Sequence, residues 1–252
     1  MNSEVITVAT HEDGILKELI NNKFNIKIKV LGFGKKWTGF KMKFELIYDY
    51  VKNLPDNKII IFIDGFDSKI NDNLDKAINR FLKKKYKVLF SKHTDNALLG
   101  LEKLVFPTCR NNVILNSGMF MGYVKYIKIL IADLITKKCN DDQIILNNSC
   151  KKYEFISIDY NESIFKNIYN TRNFDDEMKK SNAIFFSQPG SLNLNRIKRA
   201  ITEYGQFFIP YILILYIIII YLLYTSNRIY HIILSSIMLI IFFIIIDKSC
   251  IL

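Results

Sequence analysis

Two apolar runs near the C-terminus limit most sharply what this chain can fold into. Phe207–Tyr224 and Ile229–Ile246 each hold 18 residues without a formal charge. An α-helix of that length extends about 27 Å, which matches the hydrocarbon core of a bilayer. The intervening Thr225–Arg228 is short enough for a tight turn. The sequence therefore predicts a transmembrane helical hairpin in the lipid bilayer within residues 207–252, with two buried core helices as the alternative.

The charges beside these runs predict the orientation of the hairpin. Four basic residues flank it and one lies in its turn: Arg196, Lys198, Arg199 and Lys248, with Arg228 in the turn. Because basic flanks tend to stay on the cytosolic side, we expect residues 1–206 and the C-terminus to face the cytosol. Met1–Thr10 shows no charged segment that leads into an apolar stretch, so no signal peptide is expected. The sequence thus predicts a multi-pass membrane protein with two spans.

The remaining residues, 1–206, have the composition of a basic, water-facing domain. The chain carries a formal net charge of +11, and only Arg228, Asp247 and Lys248 are charged after residue 206. A basic excess often indicates nucleic-acid binding, but no helix has a one-sided arginine stripe and no aromatic–basic RNA-binding signature is present. No nucleic-acid partner is therefore expected.

The cysteines show no pattern of their own. Cys109, Cys139, Cys150 and Cys250 form neither a CxxC pair nor a metal-ligand spacing. We interpret them as small hydrophobic residues in a reducing compartment.

Short apolar runs alternate with helix-period segments, which predicts one layered α/β domain over residues 1–206. The predicted strands are Val5–Ala9, Ile26–Leu31, Lys58–Ile63, Lys87–Phe90, Val113–Leu115, Phe155–Ile158 and Ala183–Phe186. The predicted helices are Asp13–Asn22, Lys41–Asn53, Leu74–Leu82, Val124–Thr136 and Asp142–Cys150. Lys58–Ile63 (KIIIFI) is β-branched throughout its centre, as central parallel strands are.

Acidic residues follow this central strand directly. Asp64-Gly65-Phe66-Asp67 places two carboxylates three residues apart on a turn. Ligands of open α/β sheets bind beyond the carboxyl ends of the strands, and two carboxylates there can hold a hard divalent cation that neutralises a diphosphate. A solvated turn is the alternative interpretation.

Three other segments carry candidate binding residues. Gly32–Gly39 follows the second strand and contains two lysines and the only tryptophan, Trp37, which suits a phosphate and a flat ring. Leu115–Gly122 combines polar residues with two glycines after a strand, a mixture that favours a ligand close to the backbone. Asn140–Gln143 opens a helix with two acids, of which one is expected to cap the helix while the other faces the substrate.

These segments, in this order, resemble the glycosyltransferase domain of procollagen lysyl hydroxylase–glycosyltransferases, the PLOD type, and its single-domain viral relatives. The resemblance covers Val5 to about Asn195. It rests on TVAT at Thr7–Thr10, VLGFGKKWTGFK at Val30–Lys41, IIIFIDGFD at Ile59–Asp67, LNSGMFMGY at Leu115–Tyr123 and DDQ at Asp141–Gln143.

The resemblance implies a GT-A-like, Rossmann-like mixed sheet with flanking helices, a UDP-sugar donor and Mn²⁺. It implies that Asp64 and Asp67 hold the metal. The nucleotide side would comprise Thr7, Thr10, Trp37, Lys41 and Phe66, with Phe66 stacked on uracil. The sugar and a protein or glycan acceptor would face Asn116, Asp141, Asp142 and Gln143.

The sequence also departs from the family pattern. A late His-Gly-Asn-Gly motif of the family supplies a further metal ligand, whereas Ser187 or Gln188 stands at that position here. The family's Cys-Trp-Pro is absent as well, and Ser91–Asn96 takes its place, with His93 as a conceivable substitute ligand. Two hypotheses therefore remain: a membrane-anchored glycosyltransferase that transfers glucose or galactose, or a catalytically degenerate protein of the same fold that acts as a binding or scaffold module.

Overall fold

A computed structural model describes residues 2–93, 103, 105–168, 174–189, 204–225, 229–245 and 250. The chain divides into two compact units, Met1–Ser191 and Leu192–Leu252. The division falls earlier in the chain than the boundary at residue 206 that the apolar runs suggest.

The first unit alternates strands and helices, as the hydrophobic pattern predicts. Its strands are β1 (Ser3–Val8), β2 (Ile28–Leu31), β3 (Ile59–Ile63), β4 (Ser68–Ile70), β5 (Val88–Lys92), β6 (Leu115–Tyr123), β7 (Ile156–Ile158), β8 (Phe165–Asn167) and β9 (Phe185–Ser187). Its α-helices are α1 (Leu16–Ile20), α2 (Lys41–Val51), α3 (Leu74–Lys83), α4 (Val124–Leu134), α5 (Asp142–Ser149) and α6 (Phe174–Lys179). Short 3₁₀ helices cover Arg110–Asn112 and Cys150–Lys152.

The strands form a mixed six-stranded sheet in the order β2-β1-β3-β6-β5-β7 and a three-stranded sheet in the order β4-β9-β8. In the large sheet β6 runs antiparallel to both neighbours, β3 and β5, while the other pairs are parallel. The sheet is thus the mixed α/β arrangement that the resemblance implies.

Strand β3 lies at the centre because both of its faces are apolar. All five of its residues are buried. Ile60 and Phe62 pack with α2 and α4 in one core cluster, and Ile59, Ile61 and Ile63 pack in a second cluster with α3. Since alternate strand residues point to opposite faces, this burial on both sides fixes the position of the residues that follow β3.

Strand β6 differs most from the sequence prediction. The prediction ends a short strand at Leu115 and places a polar, glycine-containing segment after it, whereas the structure makes Leu115–Tyr123 one strand, almost entirely buried, at the sheet centre. Its register with β5 shifts between Phe90 and Ser91, so Ser91 pairs with Asn116 while Phe90 pairs with Phe120. Such bulges redirect side chains next to binding sites. The polar start of β6 is therefore part of the sheet and adjoins the end of β3.

The interpretation of the cysteines is wrong. Cys109 and Cys150 form a disulfide with a Cα–Cα distance of 5.9 Å, and among the described residues none of the cysteines is a free thiol. The pair is buried in the same core cluster, although 41 positions separate the two residues in sequence. Spacing alone could not reveal this pairing. Because disulfides persist in oxidising environments, the cysteines give no support to a reducing compartment.

The second unit contains the apolar helices α7 (Ile209–Thr225) and α8 (Ile229–Ile245), with a 3₁₀ turn at Gly205–Phe208. Within the part of the chain that the structure describes, one helical segment, Gly205–Thr225, is long and apolar enough to cross a membrane. Helix α8 is apolar but holds only 17 residues. The two helices contact each other, since the Tyr216 hydroxyl and Ser236 Oγ lie 2.5 Å apart. The basic residues used to orient the hairpin lie outside the described residues.

Candidate active site

Asp64 and Asp67 lie where the sequence predicts, on the turn that follows β3. The Asp64 N–H donates to the Gly118 carbonyl at 2.8 Å, so the bulged start of β6 holds the backbone of the first acid. The Asp64 side chain is 29% exposed. The first candidate metal ligand therefore sits at the carboxyl end of a rigid central strand and still reaches solvent.

A buried lysine joins Asp64 to the second acidic segment. Lys43 Nζ lies 3.3 Å from Asp64 Oδ1 and 2.6 Å from Asp142 Oδ2. The side chains of Lys43 and Asp142 are 8% and 5% exposed. We call Lys43, Asp64 and Asp142 the acid–lysine cluster. It brings α2, the end of β3 and the start of α5 to one point.

Burial and charge shift the pKa values in this cluster. Burial, together with the negative charges of Asp67 and Asp142, raises the pKa of Asp64 to about 7, although the positive charge of Lys43 opposes the shift. Burial lowers the pKa of Lys43, but the carboxylates of Asp142 and Asp64 outweigh burial and raise it. Lys43 is therefore a permanent cation, whereas Asp64 lacks enough positive charge nearby to stay ionised as an ordinary aspartate does.

Gly118 is required for the approach of β6 to Asp64. A Cβ at this position would lie 2.5 Å from Asp64 Oδ2 and 2.9 Å from Asn116 Oδ1, closer than any side chain tolerates. Asn116 Oδ1 accepts a hydrogen bond from the Gly118 N–H at 2.7 Å. The predicted site residue Asn116 thus lies beside Asp64, with its carbonyl group already used to shape the bulge.

Asp67 is tied to the end of β9. The Ser187 hydroxyl donates to Asp67 Oδ1 at 3.0 Å, and the Gln188 N–H donates to the Asp67 carbonyl at 2.8 Å. The structure therefore places Ser187 and Gln188, the residues that the resemblance aligns with the family's histidine, beside the second acid. A serine hydroxyl orients the carboxylate there.

Asp141 and Asp142 divide their roles at the start of α5. Asp141 Oδ1 accepts from the Ile144 N–H at 2.8 Å, so Asp141 caps the helix as predicted. Asp142 Oδ1 accepts from the Gln143 N–H at 3.0 Å, while its second oxygen meets Lys43. Both oxygens of Asp142 are thus engaged within the protein. Gln143 is half-buried in the first turn of the same helix.

The aromatic residues of the nucleotide side lie on exposed loops next to these acids. His11 and Phe66 have ring centroids 5.4 Å apart. The Gly34 N–H donates to the Thr10 carbonyl at 2.9 Å, which places the loop of Phe33 and Trp37 beside them. Phe33 and Trp37 are 63% and 39% exposed. We call His11, Phe33, Trp37 and Phe66 the aromatic loops.

The Trp37 loop also docks on the segment before Asp141. Gly39 has a φ of +132°, and a Cβ there would lie 2.0 Å from the side-chain nitrogen of Asn140. The Lys41 N–H donates to the Asn140 carbonyl at 3.0 Å. Glycine at this position therefore lets the loop close over the start of α5, which links the aromatic loops to the acidic segment.

Two residues assigned to the nucleotide side have other contacts. Thr7 is fully buried and its hydroxyl donates to the Ile63 carbonyl at 2.7 Å, so it joins β1 to the end of β3. Lys41 Nζ donates to the Lys137 carbonyl at 3.0 Å. The cation that reaches the acids is Lys43, which the sequence reasoning missed. The sequence pattern that could have identified Lys43 is its spacing of four residues from Ile47 and eight from Val51, which puts it on the buried face of α2.

The residues fit a metal ion that is shared with a phosphate ligand. No three His, Cys, Asp or Glu side chains gather in the described part of the chain, and His93 is buried beside Phe106. Asp64 and Asp67 supply carboxylate oxygens, the ligands that Mn²⁺ and Mg²⁺ prefer, and such ions complete their shells with water and phosphate oxygens. Burial and the neighbouring carboxylates raise the pKa of Asp64 despite Lys43, and a divalent cation at this position would favour its ionised form.

The mixed sheet, with acids at the end of its central strand, corresponds to a GT-A-like α/β fold. The chain belongs to the PLOD GT domain family, whose profile matches residues 1–188.

Two procollagen-modifying proteins are similar in sequence to this chain. A procollagen-lysine,2-oxoglutarate 5-dioxygenase of Drosophila melanogaster is 25% identical over 236 residues, covering 81% of this chain and 32% of the relative. A multifunctional procollagen lysine hydroxylase and glycosyltransferase of Caenorhabditis elegans is 28% identical over 193 residues, covering 65% of this chain and 25% of the relative. The chain thus spans a third or less of the length of these relatives. A crystal structure of A197 from STIV matches 51% of this chain and 68% of its own, with 12% identity and a TM-score of 0.37.

Proposed function

We propose that this domain transfers a hexose, glucose or galactose, from a UDP-sugar to a hydroxyl acceptor such as hydroxylysine or a glycan. The observation that carries the proposal is the pair Asp64 and Asp67 on the turn at the end of β3, with Asp64 still reaching solvent. Family membership supports the same reaction class.

In this proposal the chain binds both ends of the donor. Asp64 and Asp67 would hold Mn²⁺, which when bound offsets negative charge on the leaving diphosphate. Phe66 and Trp37 lie on the exposed aromatic loops and are suited to cover the uracil and ribose. The acceptor oxygen forms the new bond to the sugar C1, the bond from C1 to the UDP oxygen breaks with its electron pair leaving on UDP, and the acceptor's hydroxyl proton is released to water.

The acidic segment would orient the sugar from the other side. Asn116 and Gln143 lie next to the acid–lysine cluster and offer amide groups to sugar hydroxyls. Asp142 is held by Lys43 and its own helix start, so it contributes fixed negative charge beside the reacting centre.

We also propose that the apolar helices anchor the domain in a membrane. Gly205–Thr225 is long enough to span a bilayer and its apolar side chains are exposed. Helix α8 would complete a hairpin with it. Protease protection of the full chain in microsomes tests this anchoring and also reports the side on which the domain lies.

A second candidate function rests on Ser187. Because a hydroxyl replaces the family's histidine ligand and donates to Asp67, the domain would bind a nucleotide without turnover if two carboxylates hold the metal too weakly. This would make the chain a binding or scaffold module.

Hydrolysis of UDP-sugars by the detergent-purified full chain distinguishes the two candidates. We expect Mn²⁺-dependent release of UDP, lost in Asp64→Ala and Asp67→Ala and retained in Asp49→Ala, an exposed aspartate of α2. UDP binding without hydrolysis would favour the binding module. Hydrolysis that persists in both site variants would contradict the metal assignment.

A further inference from the structure

We infer that Lys43 is a positioning residue that keeps Asp142 out of the metal site and reserves it for the sugar side. The inference rests on the proposed function, and it concerns a residue outside the motifs that carry the resemblance.

The geometry separates the carboxylates into two groups. Asp67 and Asp142 both act on the Asp64 carboxylate electrostatically. Lys43 Nζ contacts Asp142 at 2.6 Å and Asp64 at 3.3 Å, so it is closer to Asp142. The ammonium therefore bridges Asp142 and the metal-side carboxylate of Asp64.

Asp142 and Asp64 also differ in how many of their carboxylate oxygens remain available to bind a cation. Asp142 uses one oxygen for the Gln143 N–H and the other for Lys43. Asp64 gives Oδ1 to Lys43, while its Oδ2 lies on the side of Gly118. Of the two carboxylates that contact Lys43, that of Asp64 therefore keeps an oxygen for a cation.

The charges explain why a lysine is needed. Three carboxylates without Lys43 would carry three negative charges in a largely buried space, and a divalent cation would recruit Asp142 as a third ligand. With Lys43 present, one divalent cation balances the remaining charge. The lysine thus makes metal binding weaker but keeps Asp142 in place beside the acceptor.

This reasoning predicts opposite changes in binding and turnover. Lys43→Met should tighten Mn²⁺ binding in the absence of nucleotide by about tenfold, because it removes a nearby positive charge and frees Asp142. The same variant should lower kcat for UDP-sugar hydrolysis by about 100-fold and leave KM within about threefold, because Asp142 moves. Lys43→Arg should restore both values toward those of the native chain, since arginine keeps the charge and the two contacts.

The experiment is calorimetric titration of the full chain with Mn²⁺, together with steady-state kinetics. Lys58→Met is the matched control, because Lys58 is also a mostly buried lysine paired with a carboxylate, Glu4, at the opposite end of β1 and β3. It should change neither Mn²⁺ affinity nor KM. In the double variant Lys43→Met/Asp142→Asn the gain in affinity should disappear, because the freed ligand is gone.

Weaker or unchanged Mn²⁺ binding in Lys43→Met would overturn the inference, as would a gain that survives in the double variant. Failure of the proposed function is a separate result. A native chain that hydrolyses no UDP-sugar would contradict the transferase activity, whereas the change in Mn²⁺ affinity would still decide the role of Lys43.

Discussion

The two halves of the candidate site are built in opposite ways. In the acid–lysine cluster Lys43 and Asp142 are buried and Asp64 is partly exposed, and ion pairs join these side chains across different elements of the fold. In the aromatic loops Phe33 and Trp37 are exposed and Phe66 is half-buried, and the ring contacts of Trp37 and Phe66 are with the loop neighbours Phe40 and His11. A site that must fix a metal and a reacting sugar benefits from rigid charge, whereas a flat base can be covered by side chains that close on it. The comparison predicts that substitutions in the cluster affect turnover strongly and that substitutions in the loops affect mainly nucleotide affinity.

The largest expected effect comes from removing the charge of the first acid. Asp64→Asn should lower Mn²⁺-dependent UDP-sugar hydrolysis by about 100-fold or more, because the amide binds a divalent cation poorly and leaves Lys43 with one partner. Initial rates at saturating UDP-sugar measure it. A variant with rates within a few fold of the native chain would place the metal elsewhere.

The next effect tests the close approach of β6. Gly118→Ala should lower kcat by at least about tenfold and reduce the free energy of unfolding by about 1–3 kcal/mol, because the methyl group would meet Asp64 Oδ2. Gly122→Ala on the same strand is the comparison, since its Cβ would lie 3.0 Å from Val88 Cγ2, away from the acids. That control should lose stability but keep kcat. Equal losses of kcat in both variants would contradict a specific role for Gly118.

The pH dependence of metal binding tests the electrostatics of the cluster. The pKa of Asp64 lies at about 7 in the folded protein, above its ordinary value of 3.8. Since Mn²⁺ must displace the proton, its affinity should rise about tenfold per pH unit below pH 7 and level off above it. Calorimetric titration over this range measures the slope. An affinity that does not change across pH 6–8 would show that Asp64 is already ionised.

The same shift affects stability with the opposite sign. Because the folded state binds this proton more tightly than the unfolded chain does, the contribution of Asp64 to the free energy of unfolding is highest at low pH. It falls as pH rises from about 4 through 7. Asp64→Asn removes this component, so the difference between the native and variant unfolding profiles isolates it.

The smallest effects are expected in the aromatic loops. Phe66→Ala and Trp37→Ala should weaken UDP binding by about two- to tenfold, the usual range for one aromatic contact, with kcat little changed. Ile129→Ala, an exposed apolar residue of α4, serves as the control. Losses of kcat as large as that of Asp64→Asn would show that the loops are as rigidly coupled to the chemistry as the cluster is.

Much of the fold could be predicted because it follows from local patterns. The β-branched run at Ile59–Ile63 identified the central strand, and the turn that follows it identified Asp64 and Asp67. Strand β6 was missed beyond Leu115 because Asn116, Ser117 and Gly118 look like a loop, and only pairing with two neighbouring strands makes them part of a sheet. Long-range pairing of this kind has no signal in a single segment.

The site could be predicted only in part for the same reason. Sequence reasoning chose Lys41 over Lys43, two residues apart on one helix, because the position of Lys43 on the buried stripe of α2 does not by itself show that this side faces Asp142. The Cys109–Cys150 disulfide was equally hidden, since its partners are brought together by the burial of α5 against the core. The sequence predicts features that lie within one helix or strand, but it does not predict which side chains of different elements meet.

The most direct test of the central claim is calorimetric titration of the full chain with UDP, with and without Mn²⁺. The account predicts that UDP binds only when Mn²⁺ is present and that Asp64→Asn abolishes this binding. UDP binding that needs no metal, or that is unchanged in Asp64→Asn, would contradict it.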